Sequence, residues 1–474
     1  MRMSHAQMYE RFLAGDASWN GRFFTGVRTT GIYCLPACPA KKARRENVDF
    51  FPTCEAAREA GFRACRKCHP DDFAAGADPV LESIEALVAE IRARPGEFRD
   101  TRAVVRRSGF GATRVFELFR GHYHATPADL LTDARLAAAR SRLVSTKAGL
   151  AAIAAEVGFE SLSVFHDQFR RRHGLTPAVY RGLTSASEFV LALPSGYPLP
   201  YLKRALGRDP LSISERLDGN AYHAAIQLAA GPALLTLKLS PSAIKARVSS
   251  GSALEAHTVV AGLAGLEQDA AGFARLASRL GLARLTVRRA GLRLSQTPTV
   301  FDGLLWAVIG QQVNLAFAST LRRRLIELTG APVGEGLIAP PTPAAVAALE
   351  PETLRPLQFS RQKAAVIINL ARLIAGGELD LAALRVMSAT RAERTLLAQY
   401  GLGPWSVNYV MMRSLGFADC VPYGDTGVTS GLQALLRLEE RPDVDATKRL
   451  MAVFSPYRSL ATAHLWQYQK PLPT

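Results

Sequence analysis

Hydrophobic residues recur at helical spacing along most of the chain and alternate at strand spacing only in its middle. Pro79 to Arg92 sets Val80, Ile84, Leu87, Val88 and Ile91 on one face, which predicts an amphipathic helix. A pattern then occurs twice. Gly109-Phe110, Val115-Phe116, Phe119-Arg120 and Thr126-Pro127 return as Gly158-Phe159, Val164-Phe165, Phe169-Arg170 and Thr176-Pro177, at an offset of 49 residues that becomes 50 after a one-residue slip. Gly in each copy suits a tight turn between helices, and the aromatics suit a core face. Each copy therefore predicts a helix-turn-helix module. Thr184 to Glu188 is a Ser/Thr-rich seam where a boundary falls. Beyond it Phe189–Leu193, Ala221–Leu228 and Leu234–Leu239 predict strands. Leu202–Leu206, after Pro198 and Pro200, predicts a short helix, and Leu263–Leu280 a return to helix.

The last third is organised around Tyr400-Gly401-Leu402-Gly403-Pro404-Trp405. Leu396 and Leu397 precede this turn, and Val407, Val410, Met411 and Leu415 follow it, so helices flank it. Two glycines one residue apart let the backbone turn tightly and point successive N–H groups outward. Such a turn serves either as an ordinary helix connection or as a cradle for a DNA phosphate. Asp425 lies twenty residues beyond Trp405, in the polar break Pro422-Tyr423-Gly424-Asp425-Thr426-Gly427. A carboxylate there caps the next helix, faces a pocket, or does both.

Composition narrows the partners. A chain of 474 residues suggests three or four domains, and 48% apolar residues suffice for packed cores. The formal charge of +17 and pI near 9.9 favour an anionic partner, nucleic acid first. Met1 to Phe12 lack the apolar core of a secretory signal, and no run is long enough to span a bilayer, so no membrane role is expected.

Six cysteines in a chain of this size suggest metal or reactivity rather than a disulfide framework. Cys34-x3-Cys38 precedes Cys65-x2-Cys68 by twenty-six residues, a spacing that predicts one Zn²⁺ held by four thiolates. That zinc is either a structural staple or part of a reactive site. Arg28, Lys41, Lys42, Arg44 and Arg45 surround the first pair, which suits either a solvated face or a phosphate-facing one. Cys54 and Cys420 have no partner at ligand spacing and read as structural or incidental.

Three resemblances follow from these motifs. Val27-Arg28-Thr29-Thr30-Gly31-Ile32-Tyr33-Cys34-x-Pro36-x-Cys38, Arg45-Glu46-Asn47-Val48 and Ala60-Gly61-Phe62-Arg63-x-Cys65-x-x-Cys68-x-Pro70 resemble the N-terminal domain of the Ada methyl acceptors. This implies that Cys34 takes a methyl group irreversibly from a methyl phosphotriester, with Arg44 and Arg45 toward DNA. Residues from about 80 to 182 resemble the AraC-type DNA-binding domain, most closely in Ile153-Ala154-x-x-Val157-Gly158-Phe159 and Ser163-x-Phe165-x-x-x-Phe169-Arg170. Ser161 to Gln168, with Ser161 and Ser163 as contacts, would then lie at a major groove. Gly310-Gln311-Gln312-Val313, Gly401-Leu402-Gly403-Pro404-Trp405-Ser406-Val407-Asn408-Tyr409, Arg413, Asp425, Tyr457-Arg458-Ser459 and His464-Leu465-Trp466 resemble the helix-hairpin-helix DNA glycosylases of the AlkA type. By that resemblance Asp425 is the catalytic carboxylate and Trp405, Tyr409 and Trp466 line the base pocket. Gly401, Gly403 and Gln312 contact DNA, and the hairpin carbonyls hold a monovalent cation.

Two absences bound the activity. Strand-cutting members of that superfamily carry a Lys where Trp405 stands, so a monofunctional glycosylase is expected. No Pro-Cys-His-Arg motif occurs, and Cys420 sits in Asp-Cys-Val-Pro, so repair of O6-methylguanine is not expected. The fold expected is multidomain, mostly α with α+β parts. Its divisions are a zinc domain over 1–76, a helix-turn-helix pair over 77–184, a small α+β domain over 185–290 and a glycosylase domain over 291–474. The expected partners are alkylated and promoter double-stranded DNA and RNA polymerase, in the cytoplasm at the nucleoid. Two alternatives stay open: a methylation-responsive regulator with an inactive glycosylase half, and a glycosylase whose first modules only recruit it to DNA.

Overall fold

A parallel strand pair, Tyr33 beside Ala64, is what brings the two halves of the cysteine motif together. In the computed structural model this pair closes a four-stranded sheet in the order Val48–Phe51, Phe24–Val27, Ile32–Cys34, Arg63–Ala64. The structure describes residues 3–15, 19–76 and 78–472. The junction drawn at 76/77 and the outermost ends of the chain lie outside the described residues. Two compact units are present, 1–90 and 91–474. In the first, Phe24, Tyr33, Leu35, Cys54 and Ala57 form the core beneath the sheet. Gly26 is required there, because a Cβ would lie 2.7 Å from the Phe51 ring and 2.9 Å from Phe62.

The second unit opens with the doubled module. Helices Thr101–Ser108 and Ala112–Tyr123 form the first copy, and Leu150–Glu156 and Leu162–His173 the second. Gly109 (φ 70) and Gly158 (φ 97) take the left-handed turn between each pair. Thr126 and Thr176 cap the helices that follow, each with Pro at the first position. The one-residue slip falls inside the turn, so the paired positions differ from the sequence alignment by one. Val115 and Phe165 are both 0% exposed, whereas Phe116 and Val164 are 48% and 51% exposed. Burial, not residue identity, sets the equivalence.

A five-stranded antiparallel sheet follows, in the order Glu188–Ala192, Ala243–Val248, Gly231–Leu239, Ala221–Leu228, Glu215–Asp218. Three of these strands were legible in the alternation. Glu215–Asp218, four residues with charge at three of them, was not; Ala243–Val248 alternates apolar and charged residues and was passed over. The helix expected over 263–280 is instead two helices, Ala253–Ala264 and Ala270–Arg279. Gly265 ends the first in the left-handed region (φ 61), and the Asp269 side chain caps the second. The core under this sheet is continuous with that of the second helix-turn-helix copy. Phe159, Phe165, Phe169 and Tyr180 belong to one apolar cluster with Leu191, Leu235 and Val260.

The remainder is helical. Val300–Ile309, Arg361–Ala375, Ala389–Leu397 and Pro404–Arg413 share one core. Thr426–Leu436, Val444–Ala452 and Arg458–Tyr468 share another. No helix among the described residues is long and apolar enough to cross a membrane.

Three buried histidines make this unit acid-labile. Burial depresses His173 to about 2, His257 to about 4 and His464 to about 3. His257 Nε2 donates to the His173 carbonyl at 2.7 Å, and His464 Nδ1 to the Leu285 carbonyl at 3.1 Å. Unfolded His titrates near 6.5, so below that pH the unfolded chain takes up protons that the folded chain refuses. Their stabilisation is complete above pH ~6.5 and is lost as pH falls toward 4, by about 1.4 kcal/mol per unit for each. Thermal unfolding should therefore shift steeply downward between pH 6.5 and 4.5. A flat melting temperature across that window would contradict it.

Candidate functional site

Asp425 ends the break between Pro404–Arg413 and Thr426–Leu436, and three donors hold its carboxylate. Oδ1 accepts from the Val428 backbone N–H at 3.0 Å, which makes Asp425 the N-cap of the second helix. Oδ1 also accepts from Trp466 Nε1 at 2.8 Å, and Oδ2 from Trp405 Nε1 at 3.3 Å. Trp405 stacks on Tyr409 with centroids 5.4 Å apart and planes 20° apart, and Tyr409 lies 6.3 Å from Trp466. All four sequence-predicted pocket residues thus converge. Trp466 comes this close because residue 427 is Gly: a Cβ there would lie 2.7 Å from the indole ring.

The hairpin has the expected form. Gly401 is left-handed (φ 83), Gly403 precedes the helix Pro404–Arg413, and Leu402 is buried between them. A Cβ at Gly401 would lie 2.2 Å from Val366, so only Gly fits. Residues that sequence reasoning passed over brace this turn. Gln311 Nε2 donates to the Gly401 carbonyl at 3.0 Å and to Ser406 Oγ at 2.9 Å. Asn408, buried in the helix, donates to the Pro404 carbonyl at 3.1 Å and accepts from Val421 N–H at 3.3 Å. Its signal was available as an amide at an apolar helix position. Gln312 is exposed and left-handed (φ 54), beside the hairpin brace but not part of it.

The Asp425 loop is fastened one turn upstream. Arg458 donates to Asp419 through Nε at 2.8 Å and through its terminal nitrogen at 2.9 Å, and Ser455 Oγ donates to the same carboxylate at 2.8 Å. Burial alone would raise the Asp419 carboxyl, but the Arg458 guanidinium outweighs it and holds the group below its ordinary value. Arg458 also donates to the Tyr423 hydroxyl at 3.4 Å, two residues before Asp425.

In the first unit the sulfurs of Cys34, Cys38, Cys65 and Cys68 lie within 4.8 Å of one another. Cys38 and Cys65 are 3.9 Å apart, close to the ~3.8 Å edge of a tetrahedron with ~2.3 Å metal–sulfur bonds. Hydrogen bonding to Cys34 and Cys68 pulls the Cys38 thiol well below its ordinary value, and hydrogen bonding to Cys38 and Cys68 together with burial pushes the Cys34 thiol far up. Four sulfurs this close, with Cys34, Cys38 and Cys65 buried and Cys68 partly so, cannot all deprotonate unless a cation sits among them. The donor set therefore fits Zn²⁺. Cys54 is buried in the first unit's core, against which Cys68 also packs, and Cys420 in a core of the second unit; neither belongs to the four-sulfur group. The basic residues nearby divide. Arg28 pairs with Asp49 at 2.7 Å, and Lys42 Nζ donates to the Pro36 and Cys38 carbonyls at 2.8 and 3.0 Å. Lys41, Arg44 and Arg45 stay exposed.

On the second helix-turn-helix copy, Ser161 caps Leu162–His173 by accepting from Val164 N–H at 3.5 Å. Its hydroxyl is engaged in folding, while Ser163 is exposed beside it.

Comparison with known proteins agrees with this geometry. Family models match at residues 7–71 (metal binding domain of Ada), 104–182 (helix-turn-helix domain) and 305–456 (HhH-GPD superfamily base excision DNA repair protein). The chain belongs to the HhH-GPD superfamily of base excision DNA repair proteins. It is 33% identical over 206 residues to the DNA-3-methyladenine glycosylase of Bacillus subtilis, spanning 43% of this chain and 68% of that protein. It is also 27% identical over 490 residues to the probable bifunctional transcriptional activator/DNA repair enzyme AlkA of Mycobacterium tuberculosis, spanning 97% and 95% of the two. The whole chain is thus homologous to bifunctional proteins of the Ada/AlkA kind. The 3-methyladenine DNA-glycosylase from Archaeoglobus fulgidus shares the fold, with a TM-score of 0.53 at 21% identity, covering 60% of this chain and 98% of that one.

The purified protein should hold one zinc per chain by atomic emission, and Cys38→Ser should leave it sub-stoichiometric with loss of the first unit's circular-dichroism signal. Full zinc retention by Cys38→Ser would exclude the four-sulfur site.

Proposed function

We propose that this chain excises alkylated bases from DNA and couples damage sensing to transcription. Its segments 1–76, 77–184, 185–290 and 291–474 serve as methyl acceptor, helix-turn-helix reader, scaffold and glycosylase. The observation that carries the excision reading is the Asp425 carboxylate gripped by two indoles and a helix N-terminus amid three aromatic rings. A base alkylated in the manner of 3-methyladenine or 7-methylguanine is cationic, so it is already an activated leaving group. Aromatic faces of Trp405, Tyr409 and Trp466 suit a flipped cation. As the glycosidic bond breaks, positive charge builds at the sugar, and Asp425 stabilises it and orients the attacking water. Trp405 offers no amine, so the product is an abasic site without a Schiff base. Gly401 and Gly403 present backbone to a DNA phosphate, with Gln312 beside them. A monovalent cation at the hairpin would share the Gly401 carbonyl with Gln311.

In the first unit Cys34, Cys38, Cys65 and Cys68 would hold Zn²⁺, which keeps the Cys34 sulfur as thiolate at neutral pH. Cys34 Sγ attacks the methyl carbon of a phosphotriester: an S–C bond forms, the C–O bond breaks, and a phosphodiester leaves. The site's charge then falls from −2 to −1, which weakens repulsion toward DNA. Arg44 and Arg45 face phosphate, and the Ser161–Ser163 end of its helix enters a promoter's major groove, with RNA polymerase as the downstream partner.

DNA bearing isotope-labelled methyl groups tests both halves. Label should appear as free base and on the Cys34 peptide. Asp425→Asn should cut base release on the order of 10²–10³-fold. Trp466→Phe, which removes the 2.8 Å donor, should cost roughly tenfold. Base release that survives Asp425→Asn would relocate the catalytic carboxylate, and label in one fraction alone would remove the other activity.

A further inference from the structure

The two helix-turn-helix copies become comparable once burial sets their register. Val115 and Phe119 of the helix Ala112–Tyr123 are 0% exposed, and so are Phe165 and Phe169 of Leu162–His173. The register brings out a second correspondence on the opposite side of each helix. A residue two positions from a buried one lies about 200° around the helix. Thr113 and Glu117 therefore face outward in the first copy, and Ser163 and Asp167 in the second, and all four are exposed. Members of each pair stand four positions apart and share a face. Each copy thus carries a hydroxyl at the second residue of its helix and a carboxylate one turn later.

The fold does not use either carboxylate. Asp167 has no hydrogen-bond or ion-pair partner among the described residues, whereas Ser161 beside it is spent as the helix cap. Glu117 meets Arg114 at 3.3 Å, an exposed pair that contributes little in water. The other polar groups of these helices have different places. Arg120 lies over the Phe116 ring at 5.3 Å, His166 and Gln168 are half-buried beside the core stripe, and Arg170 and Arg171 stand exposed in the last turn. In a chain of formal charge +17, an anion on a face turned to DNA is repelled by phosphate unless a base edge receives it.

A carboxylate only accepts hydrogen bonds. In the major groove guanine shows two acceptors, and thymine an acceptor and a methyl group. Adenine sets an acceptor beside its amine. Cytosine alone shows a donor without an acceptor beside it, and it is the base that Glu and Asp read. We propose that each helix selects cytosine, through Glu117 in the first copy and Asp167 in the second. The proposal rests on the helix-turn-helix reading and gives it a base specificity.

Enrichment of random, unalkylated duplexes on the zinc-loaded full chain, before and after reaction with methylated DNA, tests it. The enriched sites should hold two selected cytosines. Asp167→Ala should flatten the preference at one of them about tenfold, and Glu117→Ala at the other. Asp167→Asn should move its position from cytosine toward adenine. Both side chains are exposed, so circular dichroism of the variants should match wild type. Replacing the selected cytosine by 2-pyrimidinone, which lacks only the 4-amino group, should weaken wild-type binding about tenfold and leave Asp167→Ala unaffected. Enriched sites without selected cytosines, or Ala variants that change affinity for every sequence alike, overturn the proposal. Equal loss on 2-pyrimidinone in wild type and Asp167→Ala overturns it for that copy. No enriched sequence in either state overturns the helix-turn-helix reading itself.

Discussion

A carboxylate carried among three aromatic rings loses water and must be given donors in its place, and most of the last third of this chain serves that need. Asp425 receives one backbone N–H and two indole N–H groups. The indoles come from opposite ends of the region, Trp405 from the hairpin helix and Trp466 from the helix Arg458–Tyr468. Neither can move without abandoning the carboxylate, so the two cores they belong to are joined at this point. An anion held by preset dipoles stabilises developing positive charge without reorganising first.

The surrounding structure follows from keeping those indoles in place. Gly427 admits Trp466, and Gly401 lets the hairpin close over Val366. Gln311 and Asn408 answer backbone and side-chain groups at the turn that would otherwise be buried without partners. The Asp419–Arg458 pair fixes the start of the Trp466 helix to the loop that leads to Asp425. A buried ion pair of this kind contributes little net stability against an apolar substitute, but it specifies one arrangement of the two segments.

Much of this was legible because it depends on local pattern. Glycines in left-handed turns, an Asp before a helix, cysteine pairs and a repeated core stripe leave marks within a few residues. Asp425 was readable both as a cap and as a pocket carboxylate, and its two oxygens divide those tasks among three donors. What could not be read depends on distant residues. The bonds from Trp405 and Trp466 span 20 and 41 positions. Glu215–Asp218 pairs only as an edge strand on Ala221–Ala224, so its polar alternation looks like a loop until the neighbour is present. Lys42 looked like part of a phosphate-facing cluster, yet its ammonium is spent on two carbonyls beneath the cysteine loop.

The seam at Thr184–Glu188 was visible as composition, but composition does not say whether packing stops there. It does not stop. Phe165, Phe169 and Tyr180 share a core with the sheet, and His257 reaches back to the His173 carbonyl. The first copy is tied as well. His122 meets Thr390 at 2.9 Å, and His124 accepts from Asp419 N–H at 3.2 Å while its ring lies edge-on to Phe417. Thr390 starts the helix that enters the hairpin, and Asp419 is the group that fastens the Asp425 loop. Each helix-turn-helix copy is therefore anchored to a different part of the same body, one to the sheet and one to the hairpin's supports. A tether would let a reader and a glycosylase act on DNA independently. Packing of this kind ties the orientation of the helices Ala112–Tyr123 and Leu162–His173 to that of the hairpin.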